Sequence, residues 1–212
     1  MAMNDIFISF PASVAPQLGL RERKKKFAQA AIEDAALKLF GERGYARTSI
    51  QDIADEVMMS SRTILRYFAT KEDIVFASTN AVFAEALIFL QQQPSNESLE
   101  TLLRAVFAYV AALYQQRWQR FTALYQIIRA APELEPAFVY YLGKLELTLG
   151  KEFQKYNTQG LSEQRMQLLI ASSTAAFRVA TQWLLENDRA IPDLVSLIDE
   201  YLTVVLNGQF FS

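Results

Sequence analysis

The chain has 212 residues, of which 51% are hydrophobic and 21% charged, with a formal net charge of −2. This composition is typical of a globular chain that is long enough to bury a sizeable core. Cysteine and histidine are both absent. Their absence excludes disulfides, zinc sites made from these side chains, and catalysis by a thiolate or an imidazole.

Apolar runs and the N-terminal sequence both bear on where the protein acts. No apolar run approaches the length of roughly 20 residues that a helical membrane span needs. The N-terminus also has no basic segment before its short apolar run, as a signal peptide would. We therefore expect a cytoplasmic protein with no membrane partner.

Charge is distributed unevenly along the chain. Residues 21–73 hold 11 Lys and Arg against 9 Asp and Glu, whereas the remainder holds 10 against 14. Five of the basic residues fall between Arg21 and Lys26. Such a run is often no more than a solvated edge, but beside a DNA-binding motif it is placed to contact phosphates.

The chain begins with a segment that has no sustained period. Residues 1–20 contain two prolines and a glycine, which predicts a mobile tail. A long amphipathic helix is predicted from about residue 22 to residue 43. Gly44 follows it and is predicted to end the helix in the left-handed conformation.

Residues 48–68 contain the central motif, which is two short helices joined by a tight turn. We predict Thr48 as the N-cap of the first helix, in a capping box with Gln51, and Ser60 as the N-cap of the second. A short helix with polar residues in its first turn suits the major groove of DNA. On pattern alone, a surface helical hairpin is the more common explanation.

The rest of the sequence also has the pattern of helices. Thr70, with Asp73 three residues later, caps a helix that is predicted to run to about Gln92. Apolar residues then recur at helical spacing, and Ser162 and Asp193 are predicted to cap the last two helices. No strand pattern or repeat occurs, so the predicted fold is all-α with about nine helices.

No catalytic or cofactor-binding motif accompanies these helices. The sequence lacks a glycine-rich phosphate loop, a zincin motif and a nucleophile elbow. Glu133 and Glu135 flank a proline-bounded turn, where solvated carboxylates are more common than a general acid and base. We expect no enzymatic activity, no cofactor and no bound metal.

The segment from about residue 26 to residue 77 resembles the N-terminal domain of the tetracycline-repressor (TetR) family of transcriptional regulators. The residues that carry the resemblance are Ala31, Ile32, Ala36, Leu39, Phe40, Gly44, Tyr45, Thr48, Asp52, Ile53, Ala54, Ser60, Thr63, Tyr67, Phe68, Lys71 and Glu72. The resemblance implies a three-helix DNA-binding domain over residues 21–73. It also implies a helical ligand-binding and dimerisation domain over residues 74–212.

The resemblance indicates which side chains meet operator DNA. They are Lys26, Arg47, Thr48, Ser60, Ser61, Arg62, Thr63, Leu65, Arg66, Tyr67 and Lys71. Arg62 is able to make a bidentate contact with guanine, so it is expected to carry sequence information. Tyr67 and Lys71 are expected to contact phosphates.

Two positions depart from the family pattern. Met58 stands where the turn usually has glycine, so the turn must either avoid positive φ or tolerate some strain. Leu65 stands where tyrosine or phenylalanine is common, which removes one hydroxyl contact to phosphate. These departures support an alternative function, a helical protein-interaction module with a degenerate helix-turn-helix.

Large aromatic residues are concentrated in the central helices. By residue type they would simply fill a core, but the resemblance implies that they enclose a ligand cavity. The predicted ligand contacts are Phe107, Trp118, Tyr125, Tyr141, Phe177 and Arg178. Arg178 is favoured for the ligand's polar end, with Arg104, Arg129 and Gln182 as other candidates, although a surface or interface salt bridge would explain Arg178 equally well.

Small residues in the penultimate helix would let a partner helix approach closely. They are Ser172, Ser173, Ala175, Ala176 and Ala180. Packing within one subunit would explain them too, but the resemblance implies a homodimer built from the last two helices. The implied function is a repressor that leaves a palindromic operator when an unidentified apolar or aromatic effector enters the core.

Overall fold

The computed structural model describes residues 19–187 and 194–208. Within these residues the fold has ten α-helices and no strand, which confirms the all-α prediction. The helices are α1 (Leu20–Arg43), α2 (Ile50–Glu56), α3 (Ser61–Tyr67), α4 (Lys71–Val75), α5 (Ala77–Gln91), α6 (Leu99–Gln116), α7 (Trp118–Ala130), α8 (Glu135–Gln154), α9 (Glu163–Glu186) and α10 (Leu194–Asn207). A 3₁₀ turn, Pro132–Leu134, precedes α8. The predicted tail, apart from its last two residues, and the predicted Asp193 cap lie outside the described residues.

The tenth helix arises from a break at Phe76. The sequence predicted one helix from Thr70 to about Gln92, but Phe76 has φ −90° and ψ 5° and separates α4 from α5. Its ring is buried and stacks on Tyr141, with the centroids 4.8 Å apart and the planes 8° from parallel. Apolar spacing continues across the break, so the period of the sequence gave no sign of it.

The first core lies where α1 to α4 meet. Ile32, Leu39, Ile53 and Ile64 are each no more than 1% exposed there. The same buried cluster continues into α7 through Phe121, and α1 packs directly on α7. Apolar packing therefore crosses the boundary that was predicted between residues 73 and 74.

The second core lies among α5, α6, α8, α9 and α10. Leu103, Phe153 and Ile170 are fully buried in it. α10 packs on both α9 and α6, while α8 packs on α9. α7 joins the two cores, because it packs on α1 at one side and borders the second core at the other.

One face of α9 is apolar and uncovered within the subunit. Leu168, Val179 and Trp183 recur on this face and are 68%, 46% and 36% exposed. By length and composition alone α9 could cross a membrane, with a mean hydropathy of 1.2, yet the core helix of a soluble protein can pass the same test. The half-buried Ser172 and Ala175 lie along the same stripe.

The other small residues of α9 face inward. Ser173 and Ala180 are fully buried and Ala176 is 8% exposed. They allow α9 to lie close to its neighbours in the same subunit. Of the five small residues that the sequence pointed to, these three therefore serve packing within the subunit.

Candidate DNA-binding surface and ligand cavity

Side-chain caps fix the ends of α2 and α3. Ser49 caps α2, since its Oγ accepts from the amide of Asp52 at 3.1 Å and the Asp52 carboxylate accepts from the Ser49 amide at 2.7 Å. The predicted capping box of Thr48 and Gln51 is therefore wrong. Ser60 caps α3 as predicted, with its Oγ accepting from the Thr63 amide at 3.1 Å.

Thr48 is buried and braces the C-terminal end of α1. Its hydroxyl lies 2.9 Å from the carbonyl oxygen of Gly44 and 3.3 Å from that of Leu39. A threonine side chain can cap a helix or donate a hydrogen bond to a buried carbonyl, so the sequence could not distinguish the two roles. With 1% exposure, the Thr48 side chain faces the interior and not the DNA-binding surface.

Gly44 ends α1, although in a different conformation from the predicted one. Its amide donates to the carbonyl of Phe40 at 2.9 Å. The φ of 87° is positive as expected, but the ψ of 152° lies outside the left-handed helical region. This region is open essentially to glycine alone, so the residue type is required here by the backbone.

The turn between α2 and α3 keeps the shape that glycine would give it. Met58 has φ 54° and is the one non-glycine residue with positive φ in the described parts of the chain. Its side chain is 94% exposed. The amide of Met59 donates to the carbonyl of Ala54 at 2.8 Å and closes the turn. Met58 therefore tolerates strain, the second of the two options its sequence position left open.

The outer face of α3 presents two arginines and a leucine. Arg62, Leu65 and Arg66 are exposed, and the last two lie three and four residues after Arg62, about one turn along the same face. Ser61 instead donates to Gln51 at 2.5 Å, which ties α3 to α2. An exposed side chain on this face can contact DNA without first breaking a hydrogen bond inside the protein.

A basic groove runs beside the end of α3. Arg21, Lys24 and Lys25 of α1 line it opposite Arg66 and Tyr67 of α3, and Glu22 is the one acidic residue among its lining. These α1 residues entered the sequence analysis only as a charge run, because nothing local shows that α1 starts next to the end of α3. The groove concentrates positive charge where a phosphate backbone would pass.

Two predicted DNA contacts stand apart from that groove. Lys26 is exposed on α1 but does not line it. Arg47 is exposed in the α1–α2 connection, where its Nε donates to the carbonyl of Arg43 at 2.6 Å. Ser60 and Thr63 were also predicted to contact DNA, and their two hydroxyl oxygens are hydrogen-bonded to each other at 2.8 Å at the start of α3.

α4 is tied to the end of α1 by two side chains. Lys71 donates from Nζ to the carbonyls of Tyr45 at 2.8 Å and Thr48 at 3.0 Å, and it lies 3.9 Å from the Tyr45 ring centroid. The Tyr45 hydroxyl donates to Glu72 at 2.6 Å. Burial opposes it, but this hydrogen bond helps hold the pKa of Glu72 below its ordinary value. Thr70 and Asp73 form the capping box that was predicted for α4.

A cavity of about 230 Å³ lies between α5, α6, α7, α8 and α9. Its walls are mostly aromatic and aliphatic. The lining residues are Phe76, Thr79, Tyr114, Phe121, Leu124, Tyr125, Ile128, Phe138, Leu142, Thr174, Phe177, Arg178, Thr181, Gln182 and Leu185. Since these helices are distant in sequence, most of the set could not be assembled from local patterns.

Three of the six predicted ligand contacts line this cavity, and they are Tyr125, Phe177 and Arg178. Phe107 lies behind Phe177, with the ring centroids 6.2 Å apart, and Tyr141 lies behind Phe76. Trp118 packs against the second core. Phe107 and Tyr141 therefore pack against the wall of the cavity from outside its lining, and none of these three side chains lines it.

One phenol group, that of Tyr114, lies in the cavity wall, and another, that of Tyr141, lies behind the wall. Tyr114 stacks on Phe121 at 3.7 Å, and burial raises the pKa of Tyr114 to about 12 despite its hydrogen bond with Thr79. The Tyr141 hydroxyl is buried with no hydrogen-bond partner among the described residues, and burial raises its pKa.

We call the mouth of the cavity a surface hollow between α7 and α9, which holds Arg129 and Glu186 and shares Tyr125 and Leu185 with the cavity itself. Glu186 accepts hydrogen bonds there from Tyr125, Arg129 and Gln182. Arg178 is exposed and also lines the cavity. Arg104, another candidate for a polar ligand contact, instead pairs with Asp199 at 2.7 Å and with Glu100. No group of acidic side chains suited to a metal ion occurs in residues 19–187 and 194–208.

An ion pair joins the DNA-binding helices to the wall of the cavity. Glu33 of α1 is 8% exposed and accepts from Ser78 of α5. Arg120 of α7 lies 3.1 Å from Glu33 and also pairs with Asp34. The neighbours of Ser78 and Arg120 along the chain, Thr79 and Phe121, line the cavity.

Comparison with known proteins agrees with this geometry. Residues 32–78 match the model of the bacterial regulatory proteins of the tetR family. The chain is 34% identical over 80 residues to the HTH-type transcriptional regulator TcmR of Streptomyces glaucescens, an alignment that covers 38% of this chain and 35% of TcmR. It is 40% identical over 88 residues to the HTH-type transcriptional regulator HbdR of an Aromatoleum strain, covering 41% of this chain and 38% of HbdR. The chain thus spans little more than a third of the length of these curated relatives.

The fold resembles solved structures over most of its length. The crystal structure of the TetR-family repressor FadR of Thermus thermophilus, in complex with lauroyl-CoA, superposes with a TM-score of 0.57. The match covers 87% of this chain and 96% of that one at 17% identity, so it concerns the fold alone. Residues 32–78 thus match the DNA-binding domain of the tetR family of bacterial regulatory proteins, and the chain as a whole has the fold of solved TetR-family regulators.

Proposed function

We propose that the chain is a ligand-responsive transcriptional regulator, a repressor that leaves a palindromic operator when a small apolar or aromatic ligand fills the cavity. It acts as a homodimer on double-stranded DNA in the cytoplasm. The observation that carries the proposal is Phe76, a buried residue that both lines the cavity and forms the break between α4 and α5. The alternative, a protein-interaction module, has no such use for a cavity that adjoins the end of α4.

DNA recognition would divide between the two basic surfaces. The outer face of α3 offers Arg62 to base edges in the major groove, where a guanidinium pairs with guanine O6 and N7. Leu65 offers an apolar surface to a thymine methyl group. The groove of Arg21, Lys24 and Lys25 is suited to phosphates, which supply affinity without sequence information.

Dimerisation would cover the exposed stripe on α9. Leu168 and Val179 flank Ser172 and Ala175, so a second copy of this helix could approach closely and bury apolar surface. A dimer also places two copies of α3 on one face of DNA. Successive major grooves on that face are about 34–36 Å apart, which fixes the separation that binding requires.

Ligand entry would act on α4 through Phe76. A molecule in the cavity presses on the Phe76 ring, and α4 begins only five residues earlier at Lys71. Because Lys71 and Tyr45 tie α4 to the end of α1, a small rotation of α4 moves the DNA-binding helices as a unit. A shift of a few ångströms in each subunit is enough to spoil the fit to two half-sites.

A mobility-shift titration with the upstream region of the gene tests DNA binding. A saturable shift that survives an excess of random DNA is expected, with two subunits per operator. A protein that shifts neither DNA, although folded and dimeric, would favour the interaction module. Sedimentation at micromolar concentration checks the dimer, and Val179→Arg is expected to give monomers.

Recognition by α3 can be separated from phosphate contact by two variants. Arg62→Ala should cost about 1–3 kcal/mol on the operator and change binding to random DNA much less. Lys25→Ala should weaken both DNAs alike and reduce the salt dependence by roughly one counterion per subunit. Fluorescence anisotropy across a salt series measures both quantities. Equal losses for Arg62→Ala on the two DNAs would show that Arg62 contacts only the backbone.

Lys71→Ala provides a further contrast. Lys71 was expected to bind phosphate, but its ammonium group already donates to two carbonyls. The variant should weaken all DNA binding, as expected from the sequence, and also lower the melting temperature. The drop in melting temperature measures how much Lys71 stabilises the fold, which is separate from its contact with phosphate.

A further inference from the structure

The mouth of the cavity holds a carboxylate that belongs to the chain itself. One oxygen of Glu186 accepts from the Tyr125 hydroxyl at 2.9 Å, from Arg129 Nη1 at 2.6 Å and from Gln182 Nε2 at 3.0 Å. Tyr125 and Arg129 lie on α7, whereas Gln182 and Glu186 lie on α9. The interaction therefore bridges the two helices on either side of the opening.

These donors form a site for an anion. Three of them converge on a single oxygen atom, and one is a guanidinium, the donor that pairs best with a carboxylate. Hydrogen bonds from Gln182 and Tyr125 lower the pKa of Glu186, which shows the same preference for negative charge. Arg178, which lines the cavity, adds a second positive charge and forms no ion pair within 4 Å in the described part of the chain.

One acidic group lies close enough to oppose an anion. The pKa of Glu146 on α8 is raised by burial, against the influence of Arg178. Its negative charge offsets part of the positive charge of Arg178, so Tyr125, Arg129 and Gln182 remain the main donors for an anion.

The interior behind this mouth suits aromatic rings. Phe121, Phe138 and Phe177 present ring faces or edges to the space, and aromatic pairs gain more than their buried area alone provides. Its volume is about 230 Å³. An apolar cavity of about 150 Å³ in another protein stays dry and binds benzene. The space here thus fits a substituted ring or two fused rings.

We propose that the cavity takes a small aromatic carboxylate, whose ring fills the interior and whose carboxylate replaces that of Glu186 on Tyr125, Arg129 and Gln182. The inference rests on the proposed function and names the chemical class of the effector. Glu186 would hold α7 and α9 together while the cavity is empty. The ligand would take over its three donors and leave the Glu186 carboxylate to solvent.

Isothermal titration of the full chain with three probes tests the ligand class. The probes are 1-naphthoate, its neutral amide 1-naphthamide, and octanoate, an aliphatic carboxylate. Hydrogen bonds to a charged group are expected to make 1-naphthoate bind at least about tenfold more tightly than 1-naphthamide. It should also bind more tightly than octanoate, because the walls are aromatic.

Variants at the mouth test the replacement of Glu186. Glu186→Ala frees the donors, so 1-naphthoate should bind about two- to fivefold more tightly. Arg129→Gln and Tyr125→Phe should each weaken 1-naphthoate about tenfold and leave 1-naphthamide within about twofold. Arg165→Gln is the matched control, an exposed arginine on α9 about 20 Å along the helix from Arg178.

The outcomes separate this inference from the proposed function. Equal affinity for 1-naphthoate and 1-naphthamide, or no response of 1-naphthoate to Glu186→Ala and Arg129→Gln, would overturn the anion site and leave an apolar effector. Preference for octanoate would overturn the aromatic class. If none of the probes binds to a folded, DNA-binding protein, the inference fails while repression itself stands.

Discussion

The DNA-binding helices and the cavity are built by different rules. In the former, the decisive contacts are local, since Ser49, Ser60 and Thr70 each cap a helix by bonding to the residue three positions later. In the latter, the lining runs from Phe76 to Leu185 and comes from helices that meet only in the folded protein. The first region is packed throughout its core, whereas the second encloses a cavity of about 230 Å³.

Matched core truncations measure this difference most directly. Leu39→Ala removes a side chain that is 1% exposed in the packed core of α1 to α4 and should cost about 4 kcal/mol of unfolding free energy. Leu124→Ala removes the same atoms from a cavity wall at 5% exposure. It should cost about 2 kcal/mol, because those atoms already lack neighbours on one side.

Urea unfolding of the two variants and the wild type provides the comparison. The titration also needs a check that the m-value is unchanged, since a change would mean altered compactness. If Leu124→Ala costs as much as Leu39→Ala, the second region is packed like the first and the cavity is closed in solution.

The contact between the two regions gives the next largest effect. Arg120→Gln leaves the buried carboxylate of Glu33 with Ser78 as its remaining partner and should cost about 2 kcal/mol. This figure lies below that for a fully buried pair because the Arg120 side chain is 30% exposed. Lys38→Gln breaks the solvent-exposed pair with Glu56 inside the DNA-binding helices and should change stability little.

Thermal unfolding followed by calorimetry distinguishes these two ion pairs. Arg120→Gln should also separate the transitions of the two regions, because the pair joins α1 to α5 and α7. A single sharp transition with unchanged melting temperature would show that apolar packing alone couples them.

How much of the structure could be predicted from the sequence also differs between these two regions. Ser60 and the Thr70–Asp73 box were predictable because a cap needs only a residue type and a spacing. The Thr48 capping box failed by one position, since two adjacent hydroxyl residues, Thr48 and Ser49, fit the same pattern. The break at Phe76 was not predicted, because it is held by the stacking of Phe76 on Tyr141, and the spacing of apolar residues does not show such a contact.

Cavity residues needed information that the sequence does not hold. Tyr125, Phe177 and Arg178 were found because they are aromatic or charged within apolar helices, whereas Phe107 has the same character and lies behind the wall. Gln182 was named for its position near the aromatics, but the bonds that Tyr125 and Arg129 of α7 make to Glu186 of α9 join helices far apart in sequence. Which face of a helix meets a cavity is decided by tertiary packing.

Within the DNA-binding helices, the contact between Tyr45 and α4 has a pH-dependent part. Tyr45→Phe removes the hydrogen bond to Glu72 and should cost about 1 kcal/mol at pH 7, limited by solvent screening of a half-buried carboxylate. The pKa of Glu72 is lowered in the folded state, so its contribution is present above the ordinary value near 4.5 and is lost as pH falls through the folded value. The two proteins should therefore converge in stability at acid pH.

Urea midpoints measured between pH 7 and pH 3 test this linkage. Glu72→Gln serves as the control, since it removes the titration but keeps a side chain of the same shape. A constant gap between Tyr45→Phe and the wild type across this range would mean that packing of the Tyr45 ring, and not the hydrogen bond, accounts for the loss.

The smallest effect concerns strain in the turn of the helix-turn-helix. A non-glycine residue in the left-handed conformation costs roughly 1–2 kcal/mol, whereas glycine costs roughly 0.5–1 kcal/mol in the entropy of the unfolded chain. Met58→Gly should therefore stabilise the protein by about 0.5–1 kcal/mol, because Met58 has φ 54° and its side chain makes no buried contact. Met59→Gly is the matched control, since Met59 does not have positive φ and packs against the first core, and it should destabilise. Calorimetric melting temperatures decide the sign of each change.

The effect on DNA binding tells why the strain is kept. If Met58→Gly stabilises the protein and also weakens operator binding, the exposed methionine contacts DNA, and the strain is retained for recognition. If it destabilises, local bonds such as that from the Met59 amide to the Ala54 carbonyl outweigh the strain at Met58, and the turn is held, like the caps, by contacts between residues close in sequence.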